Sequence, residues 1–172
     1  MIAGTLAYMA PEQTGRMNRP LRDADGRTAL HRLRPTLRGA RRRTALPAED
    51  AVLMGDRVQL QQVLLNLIMN GVDAMKGITE RARELTVSSM LAEPDSVLVA
   101  VEDTGTGLDP AVAERVFQPF FTTKPDGLGM GLSICRSIIE AHRGRLWVSP
   151  HAPHGADVRF TVPSWQNASA QN

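Results

Sequence analysis

A chain of 172 residues that is 42% hydrophobic can bury one ordinary core, but only 4% is aromatic, so Leu, Ile, Val and Met must fill it. The lone cysteine, Cys135, excludes an intrachain disulfide and a cysteine-based metal centre, and no apolar run approaches the ~20 residues that cross a bilayer. A formal net charge of +2 hides a basic stretch between Arg16 and Arg43; without interleaved aromatics it reads as a solvated segment, so nucleic acid is not an expected partner and the product is expected to be soluble and cytoplasmic.

Residues 1–50 lack sustained periodicity and are rich in Arg, Pro and Gly, whereas apolar patterning runs from Val52 to Pro163 and the remainder is polar. This division predicts an irregular basic segment at 1–50, one domain at 51–163 and a disordered tail at 164–172. Within the domain, a weak strand at 51–54 precedes a helix at 57–75. Asp56 suits the N-cap of that helix, with Gln59 three residues on as in a capping box. Leu60, Val63, Leu64, Leu67, Ile68 and Ala74 make its apolar face, and Gln59, Gln62, Asn66, Asn70 and Asp73 form a polar stripe beside it. Asn is a poor helix former, so something other than helix stability accounts for two of them. The stripe is either a wet surface or a functional row. In the second case Asn66 and Asn70 present carboxamide oxygens one turn apart, donors suited to Mg²⁺, and Asp73 extends the row.

Strands at 85–90 and 97–102 follow. The second ends in Glu102-Asp103-Thr104-Gly105-Thr106-Gly107, which is either a tight turn or a pocket. In a pocket, Asp103 would accept a hydrogen bond from an exocyclic amino group while the glycines clear room for a flat ring. After a short helix at 110–116 comes FQPFFTTKPDGLGMGLS, residues 117–133. A Thr-Thr-Lys cluster stands there behind a Phe pair, and Gly127, Gly129 and Gly131 alternate into a helix at 132–142. Backbone amides and a helix dipole can meet a phosphate at such a place. It is neither a P-loop nor a dinucleotide fingerprint. Strands at 145–148 and 158–162 close the domain, the last entered by a turn at Gly155-Ala156-Asp157. Strands and helices mixed without regular alternation predict an α+β sandwich, with helices on one face of a largely antiparallel sheet.

Taken in order, DRVQLQQVLLNLIMNGVDAM (56–75), VEDTGTGL (101–108), VFQPFFTTK (116–124) and GLGMGLSI (127–134) resemble the N, G1, F and G2 boxes of the catalytic ATP-binding domain of bacterial sensor histidine kinases. GADVRFTVP (155–163) occupies the place of the last glycine motif. The resemblance covers residues 52–163 and implies a Bergerat-type fold, a two-layer α/β sandwich that binds Mg²⁺ and ATP under a mobile lid at 118–128. It implies that Asn70 coordinates Mg²⁺ with Asn66 beside it, that Asp103 binds the adenine amino group, and that Gly105 and Gly107 border the base. Asp73, Thr123, Lys124, Gly127, Leu128, Gly129, Gly131 and Leu132 complete the implied ATP-binding set, with Asn66 and Lys124 as its catalytic members. Phe120 and Phe121 are implied as the lid's apolar hinge and a docking face.

The gyrase-, Hsp90- and MutL-like ATPases of the wider superfamily resemble this helix but carry a Glu, a base for water, where this chain has Asn66. An amide is no base near neutral pH. Phosphoryl transfer to a histidine on another domain or chain, and through it to a response regulator, is therefore expected over hydrolysis. The alternatives are a non-catalytic nucleotide-binding or docking module and, less favoured, a gyrase-class ATPase. The G1 box departs from the family pattern at Thr104, where an Asn is frequent, and the G2 box at Pro125-Asp126, where Gly-Thr is frequent. Upstream, Arg32 follows His31 where an acceptor box carries an acidic residue. About 25 residues separate His31 from Asp56, too few for a two-helix hairpin, so the phosphoacceptor domain is expected to be missing. Residues 2–19, with GTLAYMAPE, resemble the end of the activation segment of Ser/Thr protein kinases.

Overall fold

A computed structural model describes residues 19–21, 41–45, 53–92, 96–124 and 127–164. The Ser/Thr-kinase-like stretch up to residue 18, His31, Pro125 and Asp126 lie outside the described residues. In chain order the elements are β1 (Arg19–Leu21), β2 (Arg41–Ala45), β3 (Leu53–Gly55), α1 (Arg57–Ala74), β4 (Glu84–Ala92), β5 (Ser96–Asp103), α2 (Gly131–Ala141), β6 (Arg145–Pro150) and β7 (Ala156–Pro163). Two 3-10 turns, Pro110–Val112 and Arg115–Phe117, lie between β5 and α2.

Strand alternation sets the core. Val97, Val99 and Val101 of β5 are buried and pair with Val162, Phe160 and Val158 of β7. Across the other edge of β5, Val101 faces Val87 and Asp103 faces Leu85 of β4. The five-stranded sheet runs β2-β4-β5-β7-β6, with β2 parallel to β4 and every other pair antiparallel; β1 and β3 form a separate antiparallel pair. Leu60, Val63, Leu67 and Ile68 of α1 and Cys135, Ile138 and Ile139 of α2 cover the apolar face. The expected sandwich, with helices on one face of a mixed, largely antiparallel sheet, is the observed architecture. Among the described residues no helix is long and apolar enough to cross a membrane.

Three local outcomes differ from the sequence expectation. Arg41–Ala45 lies in the segment expected to be irregular, yet it pairs with β4 in register from Arg41↔Glu84 to Ala45↔Ser88. Parallel pairing with a distant strand leaves no local apolar alternation to read. The helix expected at 110–116 forms two 3-10 turns instead. Asp109 caps the first through Ala111 N–H at 2.9 Å, and only Phe117 is buried, so too little apolar surface is available to extend a short segment into an α-helix.

The cap of α1 is the third. Asp56 Oδ1 accepts from Val58 N–H at 2.8 Å and Gln59 N–H at 3.1 Å, as an N-cap should. The reciprocal bond to Asp56 N–H comes from His142, just past α2, whose Nε2 accepts it at 2.9 Å while Nδ1 bonds the Ile138 carbonyl at 2.7 Å. That arrangement requires the neutral tautomer protonated on Nδ1. It also staples the start of α1 to the end of α2.

Ile139 is wholly buried in the core. Ile139→Ala is expected to cost about 2–5 kcal/mol of unfolding free energy and Asp56→Ala about 1 kcal/mol. Urea unfolding midpoints at unchanged slope measure both; a larger loss for Asp56→Ala than for Ile139→Ala would show that the cap, and not the packing, dominates this region.

Candidate functional site

α1 approaches the end of β5 closely because no side chain intervenes. A Cβ on Gly71 would stand 2.8 Å from Leu85 Cδ1 and 3.2 Å from Asp103 Cβ, and one on Gly105 would stand 2.7 Å from the Ala74 carbonyl oxygen. Thr106 N–H donates to that same carbonyl at 3.1 Å, tying the loop after β5 to the last turn of α1. Arg81 ties the loop from the other side, with Nε donating to the Thr104 carbonyl at 3.2 Å and Nη2 to the Gly105 carbonyl at 2.8 Å. Thr104 has a structural role: its hydroxyl accepts from Glu84 N–H at 2.9 Å and donates to the Ala82 carbonyl at 3.0 Å.

Asp103 sits at the focus of these contacts with only 5% of its surface exposed. Its Oδ1 accepts from Gly105 N–H at 2.8 Å and Ala156 N–H at 3.4 Å, and its Oδ2 faces Gly71. Burial pushes the carboxyl above the usual range, against the pull of those two N–H groups and of nearby His151. Gly107 and Gly155 carry φ of 78° and 110°, and a Cβ on Gly155 would overlap the Asp103 carbonyl oxygen. The turn into β7 therefore closes directly onto Asp103.

On the same helix, Lys124 reaches the polar row. Its Nζ donates to Asn70 Oδ1 at 3.2 Å and to Asp73 Oδ2 at 2.9 Å, while Lys76 Nζ lies 2.7 Å from Asp73 Oδ1. Partial burial raises the Asp73 carboxyl, but hydrogen bonds and charge from Lys76 and Lys124 outweigh it and hold the group below the usual range. Asn66 Nδ2 donates to the Gly131 carbonyl at 3.3 Å and to Cys135 Sγ at 3.5 Å. A carbonyl can only accept, so this contact assigns the amide's orientation and turns Oδ1 the other way. Burial pushes the Cys135 thiol up to about 11, with the Asn66 contact opposing it, so it is protonated and unreactive.

Between these clusters runs the glycine-rich segment. Thr122 Oγ1 accepts from Lys124 N–H at 3.0 Å, and Gly127 N–H donates to the Lys124 carbonyl at 3.2 Å, a turn that presents the lysine. Gly129 has φ 66°, and a Cβ there would meet the Phe120 carbonyl carbon at 2.5 Å. The Phe pair splits: Phe120, at φ 66°, is 77% exposed, whereas Phe121 lies under the Arg115 guanidinium at 4.7 Å. α2 starts at Gly131 with no side-chain cap.

The structure thus brings Asn70, Asp73 and Lys124 together, sets Asn66 against Gly131, and joins Asp103 to Gly105, with Gly107 against Gly155. Thr123 and Leu128 are exposed, and Leu132 packs against the core. Three residues escaped the sequence analysis. Gly71 had a signal, a glycine inside a strong helical pattern, which implies close packing. Gly155 was legible only as a turn. Arg81, in a loop, had none.

A two-layer sandwich with a buried carboxylate at a glycine-lined strand end and a polar row on the covering helix has the architecture of a Bergerat-type ATP-binding domain. The chain belongs to the histidine kinase-, DNA gyrase B- and HSP90-like ATPase family, whose model matches residues 55–166. Sensor protein FixL of Bradyrhizobium diazoefficiens is 51% identical over 118 residues, which is 69% of this chain and 23% of FixL. The chain spans about a quarter of the length of such curated relatives. Among solved structures, the nucleotide-free catalytic domain of histidine kinase ThkA matches with a TM-score of 0.72 at 29% identity, covering 82% of this chain and 92% of that one. ThkA in complex with response regulator protein TrrA matches with a TM-score of 0.72 at 27% identity, over 87% of this chain and 42% of that one. Full-length ShkA in complex with AMPPNP matches with a TM-score of 0.76 at 26% identity, over 88% of this chain and 32% of that one. The kinship read from the ordered boxes is borne out, and an ATP site comes with the family.

Because its raised carboxyl favours the protonated form, Asp103 stabilises the fold least when ionised. Lowering the pH through its folded-state pKa toward the unfolded value near ~3.9 is expected to stabilise wild type relative to Asp103→Asn. Paired urea melts at pH 7 and pH 4 test this; a shift favouring the Asn variant at pH 4 would contradict the assigned direction.

Proposed function

We propose that this chain is the ATP-binding catalytic unit of a two-component sensor histidine kinase, which moves the γ-phosphoryl group of ATP to a histidine on another domain or chain. The carrying observation is Asn66. Its Nδ2 is held by the Gly131 carbonyl and the protonated Cys135 thiol, so the position that holds a water-activating carboxylate in a hydrolase offers an amide that takes no proton.

Asp103 would accept the adenine amino group, with Gly105 and Gly107 bordering the ring and Gly71 leaving room beside the carboxylate. Thr123, Lys124, Gly127, Leu128, Gly129, Gly131 and Leu132 would line the phosphate side, where the uncapped start of α2 adds free N–H groups. The oxygens of Asn70 and Asp73 already receive an ammonium, so these donors fit a hard cation. Mg²⁺ normally completes its shell with phosphates and water, so few protein ligands are needed. Asn70 would hold Mg²⁺, which when bound supplies neutralisation of phosphate charge.

The acceptor imidazole nitrogen attacks the γ-phosphorus, an N–P bond forms, and the bond from phosphorus to the β,γ-bridging oxygen breaks. ADP leaves with that electron pair, and the imidazole proton passes to solvent. This chain's part is to hold the phosphates in line and offset their charge with Lys124 and backbone N–H groups. The phosphohistidine would then supply a response regulator. Dependence on ATP makes the cytoplasm the working compartment.

Titration with a non-hydrolysable ATP analogue is expected to show binding that Asp103→Ala weakens about 10- to 100-fold, the value of a lost hydrogen bond to a charged group. Radiolabel from γ-labelled ATP should appear on a supplied phosphoacceptor domain of a related sensor kinase. Steady phosphate release by the chain alone would instead favour a gyrase-class ATPase, and analogue binding without either reaction would favour a non-catalytic module.

A further inference from the structure

We propose that Asn70 and Asp73 form one cation seat that the Lys124 ammonium occupies in the nucleotide-free chain and yields to a metal–nucleotide complex, so that metal entry and release of Lys124 are a single exchange. This rests on the nucleotide site proposed above. The seat is built from one helix: Asn70 and Asp73 are three residues apart on α1 and therefore neighbours on its surface. Both present an oxygen to the same nitrogen, at 3.2 Å and 2.9 Å. Asn70 Oδ1 is the atom that would ligand Mg²⁺, and it cannot serve an ammonium and a metal ion at once.

The local charges make the exchange selective. Among the described residues Asp73 is the only carboxylate in contact with Lys124, and it already carries a second ammonium, Lys76, at its Oδ1. One negative charge therefore faces two positive ones, and a free divalent ion entering the seat meets net repulsion. ATP carries an excess of negative charge over a single Mg²⁺, so the metal–nucleotide complex meets the opposite sign. Lys124 then leaves carboxylate and carboxamide for phosphate oxygens, while Lys76 still neutralises Asp73. The seat thus resists free metal and admits metal with nucleotide. The exchange is physically easy because the Lys124–Asp73 pair is partly solvated, with side chains 42% and 27% exposed, and such pairs are weak.

Asp73 is on this account a positioning residue: it holds Lys124 beside the phosphate site before nucleotide arrives. The test uses the full chain and Mn²⁺ alone, with free Mn²⁺ counted by electron paramagnetic resonance, and no nucleotide present. Lys124→Met is expected to tighten Mn²⁺ binding about three- to tenfold, and Lys124→Arg to keep wild-type weakness. Adding Asp73→Asn to Lys124→Met should abolish the gain. In a second arm, Lys124→Met should weaken binding of a non-hydrolysable ATP analogue with Mg²⁺, the opposite sign. A side chain that merely supported the fold would move both arms the same way. Mn²⁺ affinity unchanged or weakened by Lys124→Met would overturn the exchange. Failure of wild type to bind the analogue would overturn the nucleotide site itself, and the Mn²⁺ arm separates these two failures.

Discussion

The close approach of α1 to the end of β5 is the constraint on which the site depends. Gly71 and Gly105 are the points of nearest passage, and at each a single added carbon would press on neighbouring atoms. Because the helix can lie this near, Asp103 is taken out of water and left with only backbone N–H partners for Oδ1. The same placement aims the Asn66, Asn70 and Asp73 row at the glycine-rich segment. The two ends of the proposed nucleotide site therefore share one cause, the absence of side chains at one helix–strand crossing.

Cross-bracing between the helices gives that crossing its rigidity. His142, past the end of α2, accepts from Asp56 N–H at the start of α1, and Asn66 in mid-α1 donates to the carbonyl of Gly131 at the start of α2. Two polar contacts at the two ends of α2 thus fix it along α1, over a core that includes Val63, Cys135 and Ile139, all fully buried. The segment carrying Lys124 is held differently. Among the described residues it is tied by short local turns and by the lysine's own reach to α1, and Phe120 and Leu128 are mostly exposed. Exposed side chains lower the local cost of opening, which suits the lid role of the proposed function while the floor stays fixed.

Much of this was legible in sequence because it is local. The i, i+4, i+7 row on α1, the alternation of β5 and β7 and the Asp56 cap all follow from spacing within one element, while the ordered boxes were legible through family resemblance. What escaped reading depends on partners far along the chain. His142 lies 86 residues from the N–H it serves, and Arg81 acts through a loop with no periodicity. The arginine-rich β2 has the composition of a solvated segment but gains its order from backbone pairing with β4. The helix expected at 110–116 begins at Pro110 as read, but its extent failed because helix length is decided by buried surface, which local pattern does not report. Lys124 was singled out through the resemblance, yet its contacts with Asn70 and Asp73 could not be read, since sequence spacing says nothing of where a long side chain rests.

The surroundings of Asn66 explain why an amide and not a carboxylate belongs there. Its Nδ2 faces two groups that accept, the Gly131 carbonyl oxygen and the Cys135 sulfur, and the thiol stays protonated with its pKa near about 11. A glutamate at this position would have no N–H for the Gly131 carbonyl. It would turn an ionised oxygen toward that carbonyl, or leave the carbonyl without its partner, and either outcome is unfavourable in a half-buried setting. The chain is therefore built around the amide by contacts on a second helix, so hydrolytic chemistry would require more than one substitution on α1. The same contact commits Nδ2 of Asn66 to α2 and keeps its oxygen, Oδ1, as an acceptor beside Gly131. In the proposed function, the side chain that denies water its base also stands at the head of the polar row that continues through Asn70 and Asp73 on α1.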